Sequence, residues 1–184
     1  MTDLSGAARI AHDLGLAANF GGILFGKAAF NPSVGVVGSK TERGSLGGTT
    51  WNRFNALNTL AFLASAATWP SARSGLLPEG AGPGARALLR AKDALMGVAG
   101  SLGLLVLVLQ VVLYRQAPGG AVPLETGGVP AAEASARASR LQRAVSSLGS
   151  VHVALFAVLI ALTTALASEA ARTVRPNRLP RPGR

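Results

Sequence analysis

Six polar side chains set inside otherwise apolar stretches are the residues of this chain with chemistry to offer: His12, Asp13, Lys27, Asn55, Gln110 and His152. An imidazole, a carboxylate or an ammonium can move a proton or hold an ion. Each is costly in hydrocarbon unless partnered, so its presence there signals a fixed partner or a task. The rest of the inventory removes whole classes of activity. There is no cysteine, hence no disulfide, thiol nucleophile, thiolate metal site or iron–sulfur ligation. Two histidines and eight acidic residues form no set with metal-ligand spacing. Asp13 is the one acid well inside an apolar stretch, so neither a Ser-His-Asp arrangement nor a pair of catalytic carboxylates can be assembled. The sequence nominates no catalytic residue, no metal ligand and no cofactor.

The elements that carry these side chains are four apolar segments, at about 8–30, 51–69, 93–114 and 144–168, in a chain of 184 residues that is 49% hydrophobic and 14% charged. Each is close to the roughly 20 residues a bilayer-crossing helix needs. They predict an all-α, polytopic membrane protein, a single membrane domain built as a four-transmembrane-helix bundle with both termini on the same side.

In the first segment Ala18, Gly22 and Gly26 fall on one helical stripe with Gly15 beside them, the small-xxx-small pattern of close helix approach in lipid. His12 and Asn19 border that stripe. Arg9 and Asp13, four apart, read as a local ion pair, with a proton-handling Asp13 and His12 as the alternative. Asn31-Pro32 is expected to stop the helix, and residues 31–50 read as a Gly/Ser/Thr-rich loop. Gly38-Ser39-Lys40 is too short for a phosphate-binding loop.

The second segment is bracketed by Trp51 and Trp69, about 27 Å apart at 1.5 Å per residue, the spacing of two aromatic belts. Pro70 is expected to end it. Asn52, Asn55, Asn58 and Thr59 share one side, opposite Phe54, Leu57 and Leu60. A turn-rich connector, 70–92, leads to the third segment, anchored by Tyr114 and Arg115. A flexible loop is expected over 116–135, then a helical stretch with Arg137, Arg140 and Arg143. The fourth segment places His152 on a face with Phe156, Leu159 and Thr163. A basic, disordered tail is expected over 170–184.

The net charge of +10 would suggest nucleic acid in a soluble protein. Here the basic residues lie between segments and in the tail, without the aromatic interleaving that stacks bases, so the partner they imply is a bilayer with anionic headgroups. Arg9, Arg73, Arg86, Arg90, Lys92 and five arginines of the tail fall on one side. Lys40, Arg43, Arg53, Arg115, Arg137, Arg140 and Arg143 fall on the other. The positive-inside rule then puts both termini in the cytoplasm of a bacterial plasma membrane.

Helical rise places Lys27, Asn55, Gln110 and His152, one per helix, at a shared depth about 6–12 Å outside the midplane. They are expected to form either a satisfied polar core or the lining of a small outward-facing cavity. His12 and His152 come out about 18 Å apart, too far to share one haem iron.

The run ARIAHDLGLAANFGGILFGKAAFNPSV followed by WNRFNALNTLAFLASAATW resembles a family of uncharacterised small four-helix membrane proteins from high-GC Gram-positive bacteria. The AHDLGLAANFGG and WNRFNALN stretches carry the likeness, which covers about a third of the chain; family members often have Trp at the position of Asn19. The resemblance implies fold and localisation and supplies no activity. The function expected is that of a non-catalytic packing or interaction component, as a homo-oligomer or with a membrane-protein partner. A small dimeric transporter using His12, Asp13 or Lys27, and a membrane oxidoreductase or oxygenase acting on a hydrophobic substrate, are the alternatives.

Overall fold

Buried positions recur at intervals of three and four, the repeat that keeps one seam of a helix facing its neighbours. Between Leu89 and Leu113 the buried residues are Leu89, Lys92, Met96, Ala99, Gln110 and Leu113, with one long gap between Ala99 and Gln110. A computed structural model describes residues 2–74, 76, 82–117, 119 and 121–174. It is predominantly helical, with four long helices and one short hairpin. Helix α1 spans Thr2–Phe25, α2 Lys40–Ser74, α3 Pro83–Tyr114 and α4 Ala136–Val174. Strands β1, Leu124–Thr126, and β2, Val129–Pro130, pair antiparallel between α3 and α4. The helices associate as two extensive pairs, α1 with α2 and α3 with α4. The pairs join mainly where α1 meets α4, and α2 touches α3 sparsely.

Helices α3 and α4 are each long and apolar enough to cross a membrane. The other two carry outward residues of the same kind, among them Ile10, Leu14 and Phe25 on α1 and Leu57, Leu60 and Leu63 on α2, all more than half exposed. Their composition is diluted by the polar and glycine residues of their inner faces.

Several segment boundaries move outward from those the sequence implies. The helical path does not stop at Asn31. It passes through a π-helical turn, Gly26–Phe30, in which Asn31 N–H donates to the Gly26 carbonyl, then through Asn31–Ser33 and a 3-10 turn at Val34–Val36. Pro32 lacks an N–H and its ring crowds the preceding turn, so a widened turn just before it is the local solution. Most of the expected loop at 31–50 belongs to α2, which starts at Lys40 because Ser39 caps it. The Ser39 hydroxyl accepts from Glu42 N–H at 3.3 Å and the Ser39 carbonyl from Arg43 N–H at 2.9 Å. Pro70 is carried inside α2 rather than ending it. Helix α3 begins at Pro83, in the first-turn position that proline suits. The loop expected over 116–135 contains the hairpin, with Val122, Leu124 and Ala131 buried, and α4 runs unbroken from the arginine-rich stretch to Val174. Of the tail expected over 170–184, residues 175–184 lie outside the described residues.

The two tryptophans do not form outward belts. Trp51 Nε1 donates to Asn31 Oδ1 at 3.0 Å and Trp69 Nε1 to Asp93 Oδ1 at 2.6 Å. Each indole turns inward because the protein supplies the acceptor its N–H needs.

Glycines decide how closely α1 and α2 approach. A methyl group at Gly15 would lie 2.6 Å from the Ala61 carbonyl oxygen, one at Gly22 would overlap the Phe54 ring and one at Gly26 the Trp51 ring. The seam is therefore Gly15, Gly22 and Gly26. Ala18, expected on it, is exposed. Introducing Leu at Gly22 should destabilise the fold by at least the 1–3 kcal/mol, approximately, typical of overpacking, whereas Ala18→Leu should leave it unchanged. Thermal unfolding of the two variants in detergent checks this, and equal behaviour would place the seam elsewhere.

Candidate functional site

A cavity of about 280 Å³ lies between the four helices at the hairpin end, with all four contributing to its wall. The structure brings Lys27, Asn55, Gln110 and His152 together on it. Asn55 Nδ2 donates to Gln110 Oε1 across the gap between α2 and α3. Lys27 reaches from α1 to α4, its Nζ donating to the Ser146 carbonyl at 2.7 Å and to the Ser146 hydroxyl at 3.4 Å. His152 is 6% exposed. Its ring lies against Phe156, 4.9 Å between centroids, and its Nε2 has no hydrogen-bond partner.

Two asparagines of the same wall are also incompletely satisfied. Asn19 donates to the Gly15 carbonyl at 2.8 Å while its Oδ1 has no partner, and the buried Oδ1 of Asn58 has none either. Buried polar atoms are normally paired by protein or water. These three have no partner within the protein. The rest of the lining is largely apolar, with Ile23, Phe54, Phe62 and Leu107. Gly100 and Gly103 thin the α3 side. A methyl group at Gly100 would touch the Phe62 ring at 3.1 Å, and one at Gly103 would meet His152 Cε1 at 3.3 Å. The lining comes to the surface at Leu63 of α2 and Leu104 of α3, 55% and 64% exposed. The mouth is therefore in the sparse α2–α3 seam, on the side of the bundle.

The hairpin closes the end. Val122, Leu124, Gly127 and Gly128 all line the cavity. Gly128 takes a φ of +109°, a conformation side chains rarely adopt, and Gly127 N–H donates to the Asn31 carbonyl at 2.8 Å. Val122 lies directly on Gly44 of α2, where no side chain would fit. Outside, Arg43 donates to the Glu125 carbonyl at 2.8 Å. Lys40 Nζ sits between the carboxylates of Glu125, 2.8 Å, and Glu133, 3.0 Å.

At the opposite end of the bundle a second polar layer contains the other candidate residues. His12 is fully buried. Its Nδ1 is 2.8 Å from the Ser65 carbonyl, its Nε2 has no partner, and its ring stacks on Trp69 at 4.7 Å. Lys92, also fully buried, lies 3.9 Å over the Trp69 ring and donates to Thr163 Oγ1. Arg73 pairs with Asp93 at 3.0 Å. Asp13 is half-exposed, its Oδ2 4.0 Å from Arg9 Nε and its buried Oδ1 without a partner. Between the layers sits an apolar plug that includes Leu16, Ile23, Met96, Phe156 and Leu159. His12 and His152 thus belong to different layers. Among the described residues no three His, Cys, Asp or Glu side chains gather as a metal site.

Lys92 and Ser146 are the site residues that reading the sequence passes over. Lys92 was assigned to the connector, yet it falls on the three-four repeat with Leu89, Met96 and Ala99, and a lysine in that register is a visible signal. Ser146 carries none. It is chosen by the length of the Lys27 side chain reaching across from α1.

Two expectations follow for these layers. The partner carboxylates hold the Lys40 ammonium above the usual lysine range and, through the Lys40 hydrogen bond, the Glu133 carboxyl below the usual glutamate range. Tether stabilisation is then complete between the free-glutamate and free-lysine values. It is lost as pH falls through the lowered Glu133 value or rises through the raised Lys40 value. Protection factors of residues 122–130, the exchange rates corrected for the intrinsic rate at each pH, should be constant around neutral pH and fall at both extremes, and Lys40→Met should remove both transitions. In the other layer, Trp69→Ala should cost about 3–5 kcal/mol, since it removes the support of His12 and Lys92 and the Asp93 hydrogen bond together. Denaturant unfolding measures it, and a loss near zero would make the layer incidental. Comparisons with protein-family models, with curated proteins and with solved structures return no match.

Proposed function

We propose that the chain is an integral plasma-membrane protein that spans the bilayer four times with both termini in the cytoplasm, and that it works by binding rather than by catalysis. What it binds is a small amphiphilic molecule taken from the bilayer itself. The observation that carries this reading is the sideways mouth. Leu63 and Leu104 flank it, in a belt of exposed apolar side chains that continues over Leu57, Leu60, Val108 and Val111. Contiguous apolar surface of that extent is unstable in water and natural in lipid. A cavity opening through it exchanges with hydrocarbon, and Lys27, Asn55 and Gln110 on its wall give an entering molecule's polar end something to meet.

The interaction role first suggested by the α1 glycines is narrowed accordingly. Gly15, Gly22 and Gly26 are already occupied by α2, so that seam is spent within the bundle. A second reading, a proton-coupled exporter, is favoured by the separation of two polar layers by an apolar plug, the arrangement expected of a site that opens to one side at a time. Asp13→Asn and Lys92→Met variants that leave every measured flux unchanged would remove it.

Native mass spectrometry of protein extracted gently from its own membrane tests the binding reading. The wild-type chain should carry a bound small molecule. Gly103→Leu, which fills the cavity beside His152, should fly bare while keeping the wild-type elution profile. A wild-type protein that is also bare would overturn the reading.

A further inference from the structure

We infer that the cavity selects an anionic amphiphile: a single carboxylate or phosphate head seated against Lys27 beneath the hairpin, on one hydrocarbon chain that leaves through the α2–α3 seam. This rests on the binding reading above and adds the ligand's charge and shape.

Lys27 is the one charged side chain on the wall, which holds no Asp or Glu among the described residues. None of the ion pairs among the described residues includes it. Its hydrogen bonds go to the neutral oxygens of Ser146, which satisfy two of three donors and leave the charge uncompensated. Lys92 is the instructive contrast. It too lacks a hydrogen-bonded carboxylate, but it is fully enclosed, with the Trp69 ring beneath it, whereas Lys27 faces open volume. A cation facing an acid-free cavity attracts an anion and repels a cationic head, and a neutral alcohol leaves it as it was.

Position sets the rest. A methyl group on Gly128 would lie 3.1 Å from Ser146 Oγ, so the Lys27–Ser146 pair sits directly under the hairpin, at the closed end. The mouth lies further along, at Leu63 and Leu104, so a molecule with its head at Lys27 extends its tail toward the seam past Phe54 and Leu107. From Ser146 to His152 is six residues of helix, about 9 Å, so His152 lies further along the wall, beside the chain rather than the head. A volume of about 280 Å³ is at the lower end for small-molecule sites. It accommodates a head and the start of one chain, with the remainder lying in the seam.

Trp51, on the cavity wall, provides the readout. Protein in nanodiscs of zwitterionic lipid is titrated with dibromostearate, with the matching dibromo-alcohol and with brominated phosphatidylglycerol, and saturable quenching is measured. Trp69, buried in the far layer, supplies the unquenched background, and Trp51→Phe must abolish the response. The expected result is at least tenfold tighter binding of dibromostearate than of the alcohol, a preference lost in Lys27→Met and kept in Lys27→Arg. Tighter quenching by the free acid than by phosphatidylglycerol supports the single-chain ligand, whereas phosphatidylglycerol quenching at lower mole fraction would overturn the single chain and assign the anion to a two-chain bilayer lipid head. Saturable quenching without preference between acid and alcohol overturns the charge inference and leaves the cavity reading standing. No saturable quenching by any probe overturns both. Should Lys27→Met fail to fold, competition on the wild-type protein by unbrominated stearate against octadecanol gives the same decision.

Discussion

The fold depends on backbone contact between α1 and α2. Where Gly22 and Gly26 leave no side chain, the rings of Phe54 and Trp51 move in, and that placement propagates. Trp51 reaches the Asn31 side chain, the Asn31 carbonyl holds Gly127 of the hairpin, and the hairpin roofs the cavity. The hole between the helices therefore exists because two glycines removed their side chains from one seam and a tryptophan ring pinned the chain above it. Small residues at a helix seam let backbones approach closely enough for dispersion and shape complementarity to hold them.

The two polar layers solve the problem of buried charge differently. At the far end Lys92 is held by an aromatic face and a hydroxyl, with Asp93 drawn off to Trp69 and Arg73. A cation over an indole gains about 0.5–2 kcal/mol, more when desolvated, and the enclosed geometry leaves no room for an added group. At the hairpin end the polar groups are spread around open volume and their hydrogen bonding is left incomplete.

Much of this was legible in the sequence. The helical character, the convergence of Lys27, Asn55, Gln110 and His152 on one cavity wall, and the closeness at Gly22 and Gly26 follow from periodicity and rise per residue. Boundaries were less legible because prolines and glycines were read by their average behaviour. Pro32 and Pro70 are tolerated within helical runs. Gly44, Gly47 and Gly48 read as loop residues, yet they are the face of α2 on which Val122, Leu124 and Tyr114 rest. The Ser39–Glu42 spacing of a capping box was the available clue to the earlier start of α2. Ala18 sits about one residue off the seam on the wheel, a small angular difference that decides between a buried and an exposed face. Partners chosen by side-chain reach, such as Ser146 for Lys27, leave no periodic trace.

The pairing of α1 with α2 and of α3 with α4 also orders the life of the chain. Each pair joins segments adjacent in sequence, so loop closure within it is inexpensive and can be completed while the remainder is still being synthesised. The cavity belongs to neither pair. Its walls face one another only after α1 has docked on α4 and the hairpin between α3 and α4 has settled on α2. The space is consequently a property of the finished protein alone, and a half-assembled chain, still two separate helical pairs, does not enclose it.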